Sequence, residues 1–288
     1  MEDRLFIGDY TYSSWSLRGW LLLERFGLPF SVRRITFLDG PVAEQLTEIA
    51  PARTVPSLVT GEGAVIWDSL ALAEELASRH PDAGHWPADP SARAMARSMT
   101  AEMHSSFMAL REQCPMNLQA AYQGVEPSEG TRVDLARIEA LWTRAREAYG
   151  SAGPWLFGAY SAADAFYAPV AARIAGYGLP VGALAGAYVA AHLADPAFRR
   201  WRAMGIALGE HLPWYDRDHP RTDWPGPAPR MAHALESGTP ENETCPYSGT
   251  PATHLMEMEG RVFGFCNAFC RDKTVADPTA WPAFAALL

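Results

Sequence analysis

The chain has 288 residues, 48% of them hydrophobic and 20% charged, enough for one large buried core or for two or three smaller ones. A formal net charge of −9 argues against non-specific nucleic-acid binding, which needs clustered Lys and Arg. No apolar run is long enough to span a bilayer, and no basic start leads into an apolar stretch with a cleavage site, so neither membrane insertion nor secretion is expected.

Residues 4–10, "RLFIGDY", read as a strand, and 14–27, "SWSLRGWLLLERFG", as a helix stopped by Gly27-Leu28-Pro29. "FSVRRITF" (30–37) is a second strand and "PVAEQLTEIA" (41–50) a second helix. "VPSLVT" and "AVIW" flank Gly61-Glu62-Gly63 as a hairpin, and "DSLALAEELASRH" follows as a helix capped by Asp68 or Ser69. This βαβαββα order is too short and mixed for a dinucleotide-binding unit.

Residues 87–212 read as all-helical. "DPSARAMARSMTAEMHSSFMALREQC" is one long periodic segment, and Leu135, Ile138, Leu141 and Trp142 make the apolar stripe of the next. Ser161 and Asp164 form a capping-box pattern before a buried helix, and "PAFRRWRAMGIAL" is a last amphipathic helix. Residues 213–244 lose periodicity and read as a Pro-rich linker or a surface-hugging segment. No tandem repeat is present.

Three local signals carry chemistry. Ser13 and Ser14 stand where the first strand hands over to the first helix, whose N-terminus favours an anion. No histidine lies in that stretch to activate a serine. Donation from a hydroxyl to a bound thiolate, lowering its pKa, is therefore the better use. Val55-Pro56, if cis, would turn the Val55 backbone toward an extended peptide ligand. Asp68 and Ser69 open another helix, whose N-terminus suits a ligand carboxylate.

Together these segments resemble the glutathione transferases. Residues 1–82 look like their thioredoxin-like α/β domain and 87–212 like their all-α domain; "YSSWSLRGWLLLERFGLPF" resembles the serine-type motif of the bacterial and zeta-like branch. "APARTVPSLV" resembles the cis-proline loop, "VIWDSLALAEELASRHP" the stretch holding the γ-glutamyl group, and "GPWLFGAYSAADAFYAPV" the capping-box segment, with Asp164 structural. The resemblance places the activating hydroxyl on Ser13, with Ser14 as rival. Val55, with Pro56, would bind the cysteinyl part of glutathione, Asp68 and Ser69 the γ-glutamyl end, and Arg53 the glycyl carboxylate. Arg18 could assist, although a salt bridge to a core carboxylate is its expected use. Trp15 stands where zeta-type members carry cysteine, which disfavours maleylacetoacetate isomerisation; a cysteine-dependent reductase or lyase is disfavoured too. Trp15, Phe107, Met108 and Tyr122 are candidates for the pocket of a small hydrophobic electrophile. The resemblance also implies a homodimer.

Residues 245–288 hold three of the four cysteines: Cys245, then twenty residues, then Cys266 and Cys270. "ATHLMEME" and "RVFGFC" form a hairpin about Glu259-Gly260, and a short helix places Cys266 and Cys270 on one face, an arrangement suited to zinc. The segment resembles the YHS/TRASH group of small α+β metal-binding modules, with Ser248 where a further cysteine usually falls. His254 is the expected fourth ligand, ahead of Asp272. Loss of the metal, or a Cys266–Cys270 disulfide, are the alternatives. Cys114 reads as a buried small hydrophobe. With no export signal, the cysteines are expected to be reduced, in the cytoplasm. The leading reading is a glutathione transferase; the alternative is a non-catalytic glutathione-fold scaffold that carries a metal module.

Overall fold

In a computed structural model, residues 2–288 are described, and they divide into two compact units. Of the described residues, the first comprises those up to 193 with 212–225, the second residues 194–211 with 226–288.

The first unit begins with β1 (Asp3–Ile7), α1 (Ser14–Glu24), β2 (Phe30–Arg34), α2 (Val42–Gln45), β3 (Ser57–Val59), β4 (Val65–Trp67) and α3 (Ser69–Arg79). The sheet order is β2-β1-β3-β4. β1 pairs parallel with β2 (Asp3 opposite Phe30, Ile7 opposite Arg34) and antiparallel with β3 (Leu5 opposite Leu58). Leu5, Phe6, Ile7 and Leu58 are fully buried in it, as are Leu17 and Leu22 of α1. The second predicted helix is short: α2 ends at Gln45 and a 3-10 turn, Thr47–Ile49, completes the segment. Both Ala50–Pro51 and Val55–Pro56 are cis. Gly19 lets α1 lie against the second proline, because a Cβ there would come within 2.6 Å of the Pro56 ring.

The helical part follows with α4 (Pro90–Ser105), α5 (Met108–Gln113), α6 (Glu129–Tyr149), α7 (Ala162–Gly176) and α8 (Ala183–Ala194). The periodic segment expected as one helix is two. The chain breaks at Ser106 and Phe107, with Phe107 at φ 62°, and so redirects α5. α7 is buried along almost its whole length and packs against α1. Its capping box forms as the sequence suggests. The fully buried Asp164 carboxylate accepts from Ser161 N (2.8 Å), Ser161 Oγ (3.0 Å), Leu156 N (3.1 Å) and Tyr188 Oη (2.7 Å). A carboxylate buried without such donors would be strongly destabilising.

His192 of α8 is buried between the rings of Tyr188 and Trp155, with Nε2 unpartnered. Burial lowers its pKa from 6.5 to about 3, with Arg25 adding repulsion. The unfolded chain takes up this proton at higher pH than the folded one. Stability is therefore fully present above pH 6.5 and is lost as pH falls toward 3, at up to about 1.4 kcal/mol per pH unit. Urea melts at a series of pH values should show that slope, and His192→Gln should flatten it. An equal slope in both proteins would refute the assignment.

Residues 213–244 are more than a linker. β5 (Ala121–Tyr122) pairs with β6 (Arg221–Thr222) inside the first unit. In the second unit β7 (His233–Leu235) joins β8 (His254–Met258) and β9 (Arg261–Phe265) in a three-stranded antiparallel sheet. Glu259 and Gly260 form the β8–β9 turn, both at positive φ. α9 (Pro196–Leu208), expected to close the helical domain, packs instead with α10 (Ala268–Ala276). A bidentate Arg199–Asp277 pair (2.8 and 2.5 Å) and Arg200 donating to the Ala280 carbonyl (2.9 Å) tie the two segments together. α11 (Pro282–Ala285) ends the chain, burying Phe284 against Phe263. Among the described residues no helix is long and apolar enough to cross a membrane.

Candidate functional site

A cavity of about 240 Å³ lies in the first unit, lined by Trp15, Val55, Pro56, Asp68, Ser69 and His104. Five of the residues singled out in the sequence, Trp15, Val55, Pro56, Asp68 and Ser69, thus meet at one place. Val55 makes no backbone hydrogen bond within the described chain, so its N–H and C=O remain free in the cavity wall. Ser69 is buried, and its Oγ has no partner. Asp68, not Ser69, caps α3: it sits at φ 75° and accepts from Leu70 N (2.8 Å) and Ala71 N (3.4 Å). Its other oxygen faces His104 Nε2 at 3.2 Å. Burial lowers the His104 pKa, and Asp68 opposes that.

Trp15 is shared with a second cavity of about 340 Å³, whose lining includes Ser13, Ser14, Arg111, Arg173 and Tyr215. Ser13 is the N-cap of α1. Its Oγ accepts from Ser16 N (3.3 Å) and its hydroxyl donates to Ser16 Oγ (2.8 Å), which also receives Gly8 N–H (2.9 Å). Ser14 Oγ accepts from Arg173 Nη2 at 3.3 Å. The two serines, indistinguishable in sequence, thus have separate partners.

The other expectations divide. Arg53 is exposed and lines neither cavity, because the loop carries it to the surface. Arg18 makes no salt bridge: it is fully buried, its guanidinium 4.3 Å from the Trp15 ring and 5.0 Å from that of Phe166. Of the suggested electrophile-pocket residues, Trp15 and Met108 line the second cavity. Phe107 and Tyr122 are core, and Tyr122 Oη accepts from Arg217 N. Cys114 is buried, and burial pushes its thiol up to about 12. Sequence reading missed His104, Arg111 and Arg173. The signal for Arg173 was a single charge inside the apolar run of α7.

In the second unit the Sγ atoms of Cys245, Cys266 and Cys270 all lie within 4.8 Å of one another. Those of Cys266 and Cys270 are 3.8 Å apart. Two sulfurs on one tetrahedral zinc, at about 2.3 Å each, are separated by about 3.8 Å, so the Cys266–Cys270 pair fits such an ion, with the Cys245 sulfur within 4.8 Å of both. Burial pushes the Cys245 thiol up. Backbone N–H groups of Cys266, Tyr247 and Ser248 outweigh it, and the thiol is drawn down to about 7. Burial raises Cys270 to about 12 although Lys273 opposes it. His254 is outside the cluster, its Nδ1 within 2.9 Å of Thr253 Oγ1. Asp272 is also outside, held by Arg271 at 2.8 Å.

Comparison with known proteins fits this geometry. Residues 12–79 match the family described as glutathione S-transferase, N-terminal domain. A Caenorhabditis elegans protein named "Probable maleylacetoacetate isomerase" is 35% identical over 102 residues, which cover 35% of this chain and 47% of that protein. The match thus spans about half of that relative's length. A glutathione transferase homologue from Burkholderia, solved with bound glutathione, has a TM-score of 0.54 at 24% identity, over 71% of this chain and 97% of its own. A Tau class glutathione S-transferase from mango gives 0.56 at 16% identity, over 75% and 99%. The Omega 3C glutathione transferase of Trametes versicolor gives 0.52 at 20%, over 70% and 88%. A thioredoxin-like domain followed by a helical one is the class of protein present. More narrowly, the fold is that of the glutathione transferases, and the N-terminal domain carries that family's sequence signature.

Proposed function

We propose that the chain is a glutathione-dependent enzyme that binds the tripeptide in the first cavity and adds its thiolate to an electrophile. One observation carries this reading: the unpaired Val55 backbone and the orphaned Ser69 hydroxyl face the same space beside the N-terminus of α1. Val55 would pair with the cysteinyl N–H and C=O, as one strand does with another. Ser69 Oγ and the start of α3 would hold the γ-glutamyl carboxylate.

The thiol would then lie at the start of α1. Ser13, Ser16 and Gly8 support the thiolate through a chain of donors. At rest the Ser13 proton points to Ser16. Hydroxyl protons rotate freely, and an anion is the stronger acceptor. On binding, Ser16 donates to Ser13 and Ser13 to sulfur, while Gly8 N–H still supports Ser16. The thiolate forms a carbon–sulfur bond as the leaving group departs from the electrophile. The maleylacetoacetate isomerase relative suggests reversible addition as another use of the same thiolate. Trp15 in place of the zeta-type cysteine favours transfer.

Calorimetric titration with glutathione tests the binding step. Ser69→Ala is expected to weaken it by about tenfold, the worth of one hydrogen bond to a charged group. Unchanged affinity in the variant would remove Ser69 from the site.

A second reading concerns the second unit. We infer that Cys245, Cys266 and Cys270 hold a metal ion, supported by their convergence and by the S–S separation. The thiolates would supply three of zinc's four ligands and leave the fourth to a group outside the cluster. The role is structural or that of an exchangeable store, independent of the transferase reading.

A further inference from the structure

Tyr215 lies outside every segment that the sequence marked as functional, yet it lines the second cavity together with Ser13 and Ser14. It belongs to the stretch after α9, where residues 212–225 rejoin the first unit. That stretch is pinned on both sides of the tyrosine. Before it, the buried Leu212 donates its N–H to Tyr12 Oη (3.2 Å). The 3-10 turn Pro213–Tyr215 then closes with Tyr215 N donating to the Leu212 carbonyl (3.0 Å). After it, Arg217 donates from Nε to the Gln113 carbonyl (3.3 Å) and from its backbone N to Tyr122 Oη (3.3 Å), and β6 pairs with β5. The Tyr215 ring packs 4.7 Å from that of Tyr12, the neighbour of Ser13.

The backbone is tied at all these points, but nothing holds the Tyr215 hydroxyl: it has no hydrogen-bond partner among the described residues. Other hydroxyls of the same wall are engaged. Tyr12 Oη receives Leu212 N–H, Ser13 donates to Ser16 Oγ, and Ser14 Oγ receives Arg173. Burial raises the Tyr215 pKa above its usual 10; Arg173 opposes this and Asp9 reinforces it, so the hydroxyl keeps its proton at neutral pH. The cavity therefore presents a neutral O–H donor on a fixed backbone beside the start of α1.

Electrophiles differ in their need for such a donor. When a thiolate displaces chloride from an aromatic ring, the chloride leaves with its charge and takes no proton. When it adds to a carbon conjugated with a carbonyl, the charge ends on the carbonyl oxygen. A donor already in place stabilises that charge as it develops, and an acid within reach can protonate the oxygen.

We propose that Tyr215 is a catalytic residue that donates its hydroxyl proton to the oxygen of the electrophile as the carbon–sulfur bond forms. The proposal rests on the transferase reading and adds to it a residue far beyond the residues 12–79 that match the family. In the addition, sulfur bonds to the β-carbon, the carbon–carbon π pair becomes the enol double bond, and the carbonyl π pair goes to oxygen, which takes the Tyr215 proton. The phenolate left behind, near Arg173, regains a proton from the water that took up the thiol's, and the enol rearranges to the ketone.

The test compares benzylideneacetone, an enone, with chlorodinitrobenzene, an aryl chloride. Both are given to the wild-type chain and to Tyr215→Phe, which keeps the ring and its packing on Tyr12. The ratio of the enone kcat to the chloride kcat should fall by about a hundredfold in the variant, the scale of one lost general acid or oxyanion donor. A role in packing alone would slow both compounds together, and an unchanged ratio overturns the proposal. A wild-type chain that turns over the chloride and not the enone overturns it without any variant. If neither compound turns over, the transferase reading has failed, and binding judges Tyr215 separately. Para-nitrophenolate, followed by its absorbance, presents an oxyanion without chemistry. The wild-type chain should hold it about tenfold more tightly than Tyr215→Phe, the worth of one hydrogen bond to a charged acceptor. Equal affinities, or no binding to either chain, would sink the proposal.

Discussion

Ser13→Ala is expected to raise the thiol pKa of bound glutathione by about one to two pH units, and so to cut its thiolate near neutral pH by roughly ten- to a hundredfold. The magnitude follows from losing one hydrogen bond to a charged acceptor at a helix N-terminus. The same substitution removes the Oγ that caps α1 through Ser16 N, at about 1 kcal/mol of stability. Ser16→Ala separates the two effects. It keeps the cap, because the Ser16 N–H remains, but breaks the hydroxyl relay from Gly8. The thiol pKa should then rise by less than in Ser13→Ala, and any loss of stability, about 1–3 kcal/mol, comes from the buried Gly8 N–H left without its acceptor and not from the cap. Ser14→Ala removes only an acceptor for Arg173 and should leave the thiol nearly as it was. Ultraviolet thiolate absorbance, followed across pH with glutathione bound, reads all three variants. Superimposable titrations of the wild-type chain and Ser13→Ala would end the case for this junction as the thiolate's support.

The parts of this site that could be read from sequence are local ones. A serine before a helix, a Val-Pro pair before a strand, and an Asp-Ser opening another helix each act through their own neighbours. The structure puts Val55, Pro56, Asp68 and Ser69 on one cavity and the serines on the next. Arg111 and Arg173 were not legible in the same way, and Arg18 was named without its two neighbours. They come from α1, α5 and α7, and only the packing brings them to one place. The break at Phe107 that aims α5 is a single residue in the left-handed region, with no glycine to announce it. Periodicity likewise showed that α9 has an apolar face but not what covers it. That helix groups with residues C-terminal to it. His254 failed for a reason of register. It lies directly opposite Phe265, so it shares that residue's face of the sheet, while Cys266 falls beyond the strand's end.

The cysteine cluster carries the other large expected effect. Cys270→Ser should weaken zinc binding by more than about a hundredfold, since structural zinc sites bind with some 10–16 kcal/mol shared among few ligands. His254→Gln should leave the affinity where it was, which sets this trio apart from a Cys3His site. Binding must displace the protons of all three thiols. Cys245 is drawn down to about 7 and Cys270 is pushed up to about 12, so the Cys270 proton is the harder one to remove. Affinity should therefore climb as pH rises through neutrality. The competing fate of Cys266 and Cys270 is a disulfide, and their 3.8 Å separation permits either with modest movement. Competition against a chromophoric chelator under reducing conditions, repeated at several pH values, distinguishes them. Zinc held tightly by the wild-type chain and by His254→Gln, but released by Cys270→Ser, is the expected pattern. A reduced wild-type chain that yields its zinc as readily as Cys270→Ser would leave the trio as thiols without a metal.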